Sequence, residues 1–261
     1  MHIFYKNRYL VDFLAAVMFF TRIPINWSSF SEEAPDLTRA AWSFPIIGLI
    51  VGFFCGLIGD ICVFFGIPTL LSCLIAIALS VLVTGAFHED GLADMADGFG
   101  AGGSPERINE IMHDSRLGTY GVVTLTLALL IRTALVVGLA NLGYSILFIL
   151  STGFASGKLA IIFMRNFFSS SEFAKTGSIV GFISGKNFLL ATFSWLVPVT
   201  FVFPLFGILL GTVFVAGLIY FIGLKSNHFI GGITGDILGA TALLGELLFL
   251  FGVILIASGV P

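Results

Sequence analysis

The sequence predicts an all-α fold: a polytopic integral membrane helical bundle of about seven transmembrane helices, with an interfacial or re-entrant helix at its N-terminus. Three observations carry that prediction. Of 261 residues, 57% are hydrophobic and only 10% are charged, against roughly a quarter charged in soluble domains, and the mean hydropathy is +1.07. Apolar runs of bilayer length recur along the whole chain. The charged residues gather in connections that alternate with uncharged ones.

Taken in order, residues 9–26 carry Asp12 and end at Arg22-Ile23-Pro24, which favours an interfacial or re-entrant helix over a spanning one. Lys6 and Arg8 before an apolar run imitate a signal peptide. Thr21-Arg22-Ile23-Pro24 stands where a small-residue cleavage site would follow, so no signal is expected. Spans then fall near 42–66, 68–88, 119–141, 143–164, 187–203, 205–224 and 237–258. Pro68, Pro198 and Pro204 mark turns or kinks between or within them. The 29 Phe and 31 Gly suit lipid-facing surfaces and close helix contacts. Cys55, Cys62 and Cys73 lie inside apolar runs without C-x-x-C spacing and read as small packing residues. No internal repeat and no separate soluble domain is visible, so residues 1–261 read as one catalytic domain.

The connections near 66–69, 141–144 and 203–205 contain no charged residue. The other set, 22–41, 89–118, 165–186 and 225–236, holds Arg22, Arg39, Arg107, Arg116, Arg165, Lys175, Lys186 and Lys225. With these spans, every loop of the second set emerges on the same side, which the positive-inside rule makes cytoplasmic. Chemistry gathered on one face suits an enzyme better than a conduit, which needs access from both.

The chemistry-bearing segment is His88-Glu89-Asp90-Gly91-Leu92-Ala93-Asp94-Met95-Ala96-Asp97-Gly98. On a helix, Asp90, Asp94 and Asp97 at i, i+4 and i+7 fall within about 60° of one face. Three carboxylates that close repel one another unless a cation lies between them. A hard divalent ion such as Mg²⁺, with oxygen ligands and bound phosphate, suits them. Glu89 points about 100° away from Asp90 and fits a solvated helix start favoured by the dipole. His88 either orients a carboxylate or binds phosphate, or is an ordinary interfacial histidine.

Gly98-Phe99-Gly100-Ala101-Gly102-Gly103-Ser104-Pro105-Glu106 follows, with Ser104 as N-cap and Pro105 at the first position of a short helix. Gly102 and Gly103 either present backbone N–H groups to phosphate or form a flexible connector. That helix reaches His113-Asp114-Ser115-Arg116. Asp114 is a further candidate metal ligand, Ser115 a substrate contact and Arg116 a bidentate phosphate clamp; the plain alternative is a surface Asp–Arg pair. Gly231-Gly232-Ile233-Thr234-Gly235-Asp236 then precedes an apolar helix. Thr234 and Gly235 belong to a possible anion cradle, and Asp236 either completes the metal shell or is merely an N-cap.

Four ionisable residues lie within spans. Asp60 and Lys158, near span ends, are expected to snorkel. Arg132 and Glu246 lie deeper, where an unpaired charge costs several kcal/mol, and are expected to pair with each other or line a cavity beneath the metal.

At these residues the sequence resembles a known family. His88-x-Asp90-Gly91-Leu92-Ala93-Asp94-x-x-Asp97-Gly98 resembles the signature of the cobalamin synthase (adenosylcobinamide-GDP ribazoletransferase) family. So do Ile111-Met112-x-Asp114-Ser115-Arg116-Leu117-Gly118-Thr119-Tyr120-Gly121 and Gly231-Gly232-x-Thr234-Gly235-Asp236-x-x-Gly239-Ala240. Weaker echoes are Thr21-Arg22-Ile23-Pro24 and Phe44-Pro45-x-x-Gly48 with Gly52. Between 153 and 186 the pattern does not align, and Lys158 stands where an arginine is usual, so nothing catalytic is assigned there.

The resemblance implies the last assembly of the cobalamin nucleotide loop. Adenosylcobinamide-GDP and α-ribazole, or its 5′-phosphate, give adenosylcobalamin, or its 5′-phosphate, and GMP. It implies a Mg²⁺-dependent enzyme of the bacterial inner membrane. Its partners would be these small molecules and membrane lipid, without nucleic acid; a homo-oligomer is compatible with it. In the mechanism expected from it, Asp90, Asp94 and Asp97, with Asp114 and Asp236, hold Mg²⁺ against the diphosphate. Asp97, or failing it Asp236, accepts the proton of the attacking hydroxyl, and Arg116 binds a phosphate oxygen. His88, Gly102, Gly103, Ser115, Thr234 and Gly235 contact substrate. Rival readings are a CDP-alcohol phosphotransferase, whose Asp-Gly-x-x-Ala-Arg element lacks its arginine here, a prenyl-diphosphate transferase, and a divalent-cation transporter.

Overall fold

The computed structural model describes residues 7–174 and 180–259; Lys6 and Lys175 fall outside them. Its helices are α1 (Arg8–Phe20), α2 (Leu37–Ala40), α3 (Phe44–Phe64), α4 (Thr69–Thr84), α5 (Phe87–Ala101), α6 (Pro105–Met112), α7 (Thr119–Asn141), α8 (Ile146–Phe167), α9 (Gly185–Val202), α10 (Leu205–Ile230) and α11 (Gly235–Ala257). Among the described residues there is no strand, only one isolated parallel bridge between Ser170 and Ile233. Among the described residues six helical segments are long and apolar enough to cross a membrane, and α4 with α5 passes that test only as a pair bent by 85°. This is a multi-pass membrane bundle. α1 has 13 residues, about 20 Å of helix, too short for a hydrocarbon core of about 30 Å.

Glycine lets α3 and α8 pack backbone to backbone. Gly48, Gly52 and Gly56 form an i, i+4, i+8 stripe on α3 against the backbone of α8, and a Cβ at Gly48 would stand 2.7 Å from the Ala155 amide nitrogen. Small residues at this spacing let membrane helices approach and pack where no hydrophobic force draws them together.

Asp60, expected to snorkel, instead caps α8. Its carboxylate accepts the Ile146 and Leu147 amides at 2.9 and 3.1 Å and the Ser145 hydroxyl. The first amides of a helix have no partner within it, and a carboxylate from α3 satisfies them at low cost.

The expected span 68–88 does not run straight. α4 ends in a Schellman turn: Gly85 (φ +67°) and Ala86 (φ +58°) are left-handed, and Ala86 N–H donates to Val81 at 2.9 Å. The Arg22 amide donates to Val83 at 2.7 Å, pinning the chain after α1 to this corner. Beyond it α5 packs along the N-terminal halves of α7 and α11. A Cβ at Gly91 would come within 2.8 Å of the Asp236 carbonyl oxygen, and Gly239 faces the Gly91 Cα. The helix bearing the acidic motif therefore rests directly on the start of α11.

Candidate active site

The bend between α4 and α5 brings three of the expected acids to one place. Asp90, Asp94 and Asp236 line a cleft of about 670 Å³, with Asp114, Ser115, Thr234 and Gly235 on its wall. Phe87, three residues before Asp90, and Gly91 and Asp94, one and four residues after it, all face the same cleft. Burial, then the neighbouring Asp90, Asp236 and Asp97, push the Asp94 carboxyl up to about 7. Like charges held together disfavour ionisation, and that repulsion is what a bound cation would relieve.

Asp97 occupies a different position from the one its spacing suggests. Its two oxygens accept the backbone N–H groups of Gly118 at 2.7 Å and Gly121 at 2.8 Å. It is 8% exposed. Asp97 thus ties α5 to the start of α7, where helix amides are otherwise unpaired, and it is not an open base at the cleft. Any side chain at Gly118 or Gly121 would collide with that carboxylate.

Asp114 and Arg116 take the plainer of their two readings. Arg116 Nη2 donates to Asp114 Oδ2 at 2.7 Å and Nε to Oδ1 at 3.1 Å, with the Arg116 side chain 87% exposed. Arg116 holds the Asp114 carboxyl well below the usual carboxylate range. Arg116 is not on the cleft wall, and Asp114 faces the cleft already paired.

Gly102 and Gly103 do not reach the cleft either. Both have positive φ, +64° and +113°, and join the end of α5 to Ser104, whose side chain caps α6 as expected. Thr234, rather than Asp236, is the N-cap of α11. Asp236 stands in the first turn, where the dipole favours a carboxylate. The loop before it is held by Ile233, which donates to Ser169 at 2.9 Å and accepts from Ser171 at 3.1 Å.

His88 lies behind the cleft. Its Nε2 is 2.9 Å from Lys158 Nζ, its ring stacks on Phe20, and it is 5% exposed. Lys158 does not snorkel; it is buried, with Nζ 4.8 Å from the centroid of the Phe20 ring. Arg132 and Glu246 pair as expected, with Nε to Oε1 at 2.8 Å. Glu89, expected in solvent, completes the group by accepting from Arg132 Nη1 at 2.9 Å. A signal for Glu89 exists in the charge count. Two cations within spans, Arg132 and Lys158, face one deep acid, Glu246, and Glu89 directly follows the apolar run 68–88.

Spacing also gave no notice of the apolar side of the cleft. Phe19, Phe87, Leu117 and Phe173 line it, with Phe19 and Phe87 edge to face at 5.0 Å. One cleft therefore offers carboxylates and an aromatic surface together.

Among the described residues no three His, Cys, Asp or Glu side chains converge as a closed metal shell. The donor set still fits a hard divalent cation. Mg²⁺ takes one or two protein carboxylates and completes its shell with substrate phosphate and water, and Asp90 and Asp236 open on the same cleft as that ligand set requires.

A sequence profile of the family described as cobalamin-5-phosphate synthase matches residues 12–254. An adenosylcobinamide-GDP ribazoletransferase of Azorhizobium caulinodans is 37% identical over 263 residues, covering 96% of this chain and 98% of that protein. One of Clostridium botulinum is 35% identical over 92% of this chain and 96% of the relative. One of Vibrio cholerae is 35% identical over 92% of each. No solved structure matches.

Proposed function

Because the chain belongs to the cobalamin-5-phosphate synthase family, we propose that it joins adenosylcobinamide-GDP to α-ribazole or its 5′-phosphate, releasing GMP. This makes it a transferase of cobalamin biosynthesis and sets aside the CDP-alcohol, prenyl and transporter alternatives. The observation that carries the site assignment is the shared cleft of Asp90, Asp94 and Asp236.

In this reading a ribose hydroxyl of ribazole attacks the cobinamide-side phosphorus. The bond from that phosphorus to the bridging oxygen breaks, and GMP leaves. Asp90 and Asp236 would hold Mg²⁺, which supplies charge neutralisation at the reacting phosphate and the departing GMP. Asp94, on the same cleft wall, accepts the hydroxyl proton as the carboxylate not engaged in holding the cation. Phe19, Phe87 and Phe173 offer the flat benzimidazole a surface without hydrogen-bonding groups, and so favour it over a purine. Asp97 replaces catalysis with positioning by holding α5 against α7.

The end of the bundle where α7 and α11 begin also carries Arg22, Arg39, Arg107, Arg116 and Arg165. The positive-inside rule supports a cleft facing the cytoplasm from a bacterial inner membrane. The test is full-length protein in liposomes supplied with adenosylcobinamide-GDP and α-ribazole 5′-phosphate. GMP release matched by the completed corrinoid is expected; intact substrates with folded protein would refute the reading.

A further inference from the structure

Arg132 belongs to α7, yet its guanidinium joins the two helices that carry the cleft carboxylates. Nε donates to Glu246 Oε1 at 2.8 Å, Nη2 donates to Glu246 Oε2, and Nη1 donates to Glu89 Oε1 at 2.9 Å. Glu89 is the residue before Asp90 on α5. Glu246 lies ten residues along α11 from Asp236, a rigid helical strut of about 15 Å. Arg132, Glu89 and Glu246 are 4%, 5% and 2% exposed. The guanidinium also sits 5.0 Å over the Phe154 ring of α8, which fixes its plane.

A planar fork with bonds to both partners fixes their separation more strictly than a point charge can. Little else at the crossing of α5 and α11 absorbs slack, because Gly91 and Gly239 bring backbone against backbone there. The second oxygen of Glu89 is buried without a protein partner. Glu89 lines a cavity of about 20 Å³ with Ser80, Thr84 and Lys158, a volume that suits one water.

We propose that the Glu89–Arg132–Glu246 bridge is a positioning device: it sets the spacing of Asp90 on α5 and Asp236 on α11, and with it the affinity of the cleft for a divalent cation. The proposal rests on the reading of that cleft as a cation site. An ion pair serving only bundle stability could join any two of the packed helices. This one bonds the two that present the carboxylates, at the residue adjacent to Asp90.

The probe is Mn²⁺ alone, followed by electron paramagnetic resonance on detergent-solubilised full-length protein, so the affinity readout needs no turnover. Wild type is compared with Arg132→Lys, Glu246→Gln and Glu89→Gln, with thermal unfolding in EDTA measured in parallel. The bridge predicts Mn²⁺ affinity at least tenfold weaker in Arg132→Lys and Glu246→Gln, and an unchanged KM for α-ribazole 5′-phosphate at saturating Mg²⁺. Should Arg132→Lys fail to fold, Glu89→Gln, which keeps the shape and one acceptor oxygen, carries the same prediction. Variants that lose thermal stability but bind Mn²⁺ like wild type would overturn the proposal. Wild type that binds no Mn²⁺ would overturn it together with the cation reading. Wild type that binds Mn²⁺ but releases no GMP would refute the reaction alone and leave the bridge's role standing.

Discussion

Asp97 Oδ2 accepts the backbone N–H of Gly118 at 2.7 Å, so a residue of the acidic motif holds two helices together. The Gly121 amide on its other oxygen completes a two-pronged cap of α7. Replacing it with Ala leaves buried amides unpaired, at a cost of about 1–3 kcal/mol. Asp97→Ala is expected to lower the thermal midpoint and the rate, without raising the Mg²⁺ concentration needed for half-maximal rate. A changed Mg²⁺ requirement would return Asp97 to the cation shell.

Asp94 carries the opposite trade. Folding raises its pKa from 3.8 to about 7, so between those values the folded chain binds the proton more tightly than the unfolded chain. Stability of the cation-free protein therefore falls as pH rises through that window and levels off above it. Asp94→Asn removes the fall. In EDTA it should melt higher than wild type at pH 8 and equal to it near pH 4, while its turnover drops about a hundredfold or more. A variant that melts like wild type at both pH values would remove the repulsion on which this rests.

Gly91 is the point where α5 touches α11. A Cβ there meets the Asp236 carbonyl oxygen at 2.8 Å, closer than ordinary contact. Gly91→Ala should separate Asp90 from Asp236 and weaken Mn²⁺ binding several-fold, with the protein still extracted in folded form. Full Mn²⁺ affinity would show that the crossing yields elsewhere.

Phe87 precedes Asp90 by one helical turn on the cleft side of α5 and packs edge to face on Phe19. Phe87→Ala is expected to raise the KM for α-ribazole 5′-phosphate about tenfold, the loss of roughly 1.4 kcal/mol of aromatic contact. The KM for adenosylcobinamide-GDP should stay within twofold. An equal rise for both substrates would point to a displaced α5 instead of a base-binding surface.

Much of this was legible in the residues. Span 119–141 coincides with α7, because apolar length bounded by Gly118 and Gly143 is a local signal. Asp90, Asp94 and Asp236 were readable as acids clustered beside glycine at the ends of apolar runs. The corner at Gly85 and Ala86 was hidden, since hydropathy continues to Phe87 while the backbone turns. Asp97 falls in the same helical stripe as Asp90 and Asp94, and only the nearby end of α7, a tertiary fact, decides its partner. Lys158 sits nine residues from the end of its helix, close enough to suggest snorkelling; the pocket made by His88 and Phe20 comes from other helices.

The central claim is that Asp90 and Asp236 hold a divalent cation against the diphosphate during transfer. It is tested most directly by GMP release in liposomes as a function of Mg²⁺ concentration, for wild type, Asp90→Asn and Asp236→Asn. The account predicts no release without Mg²⁺ and at least a tenfold higher Mg²⁺ requirement in both variants. Release in EDTA, or the wild-type Mg²⁺ requirement in both variants, would contradict it.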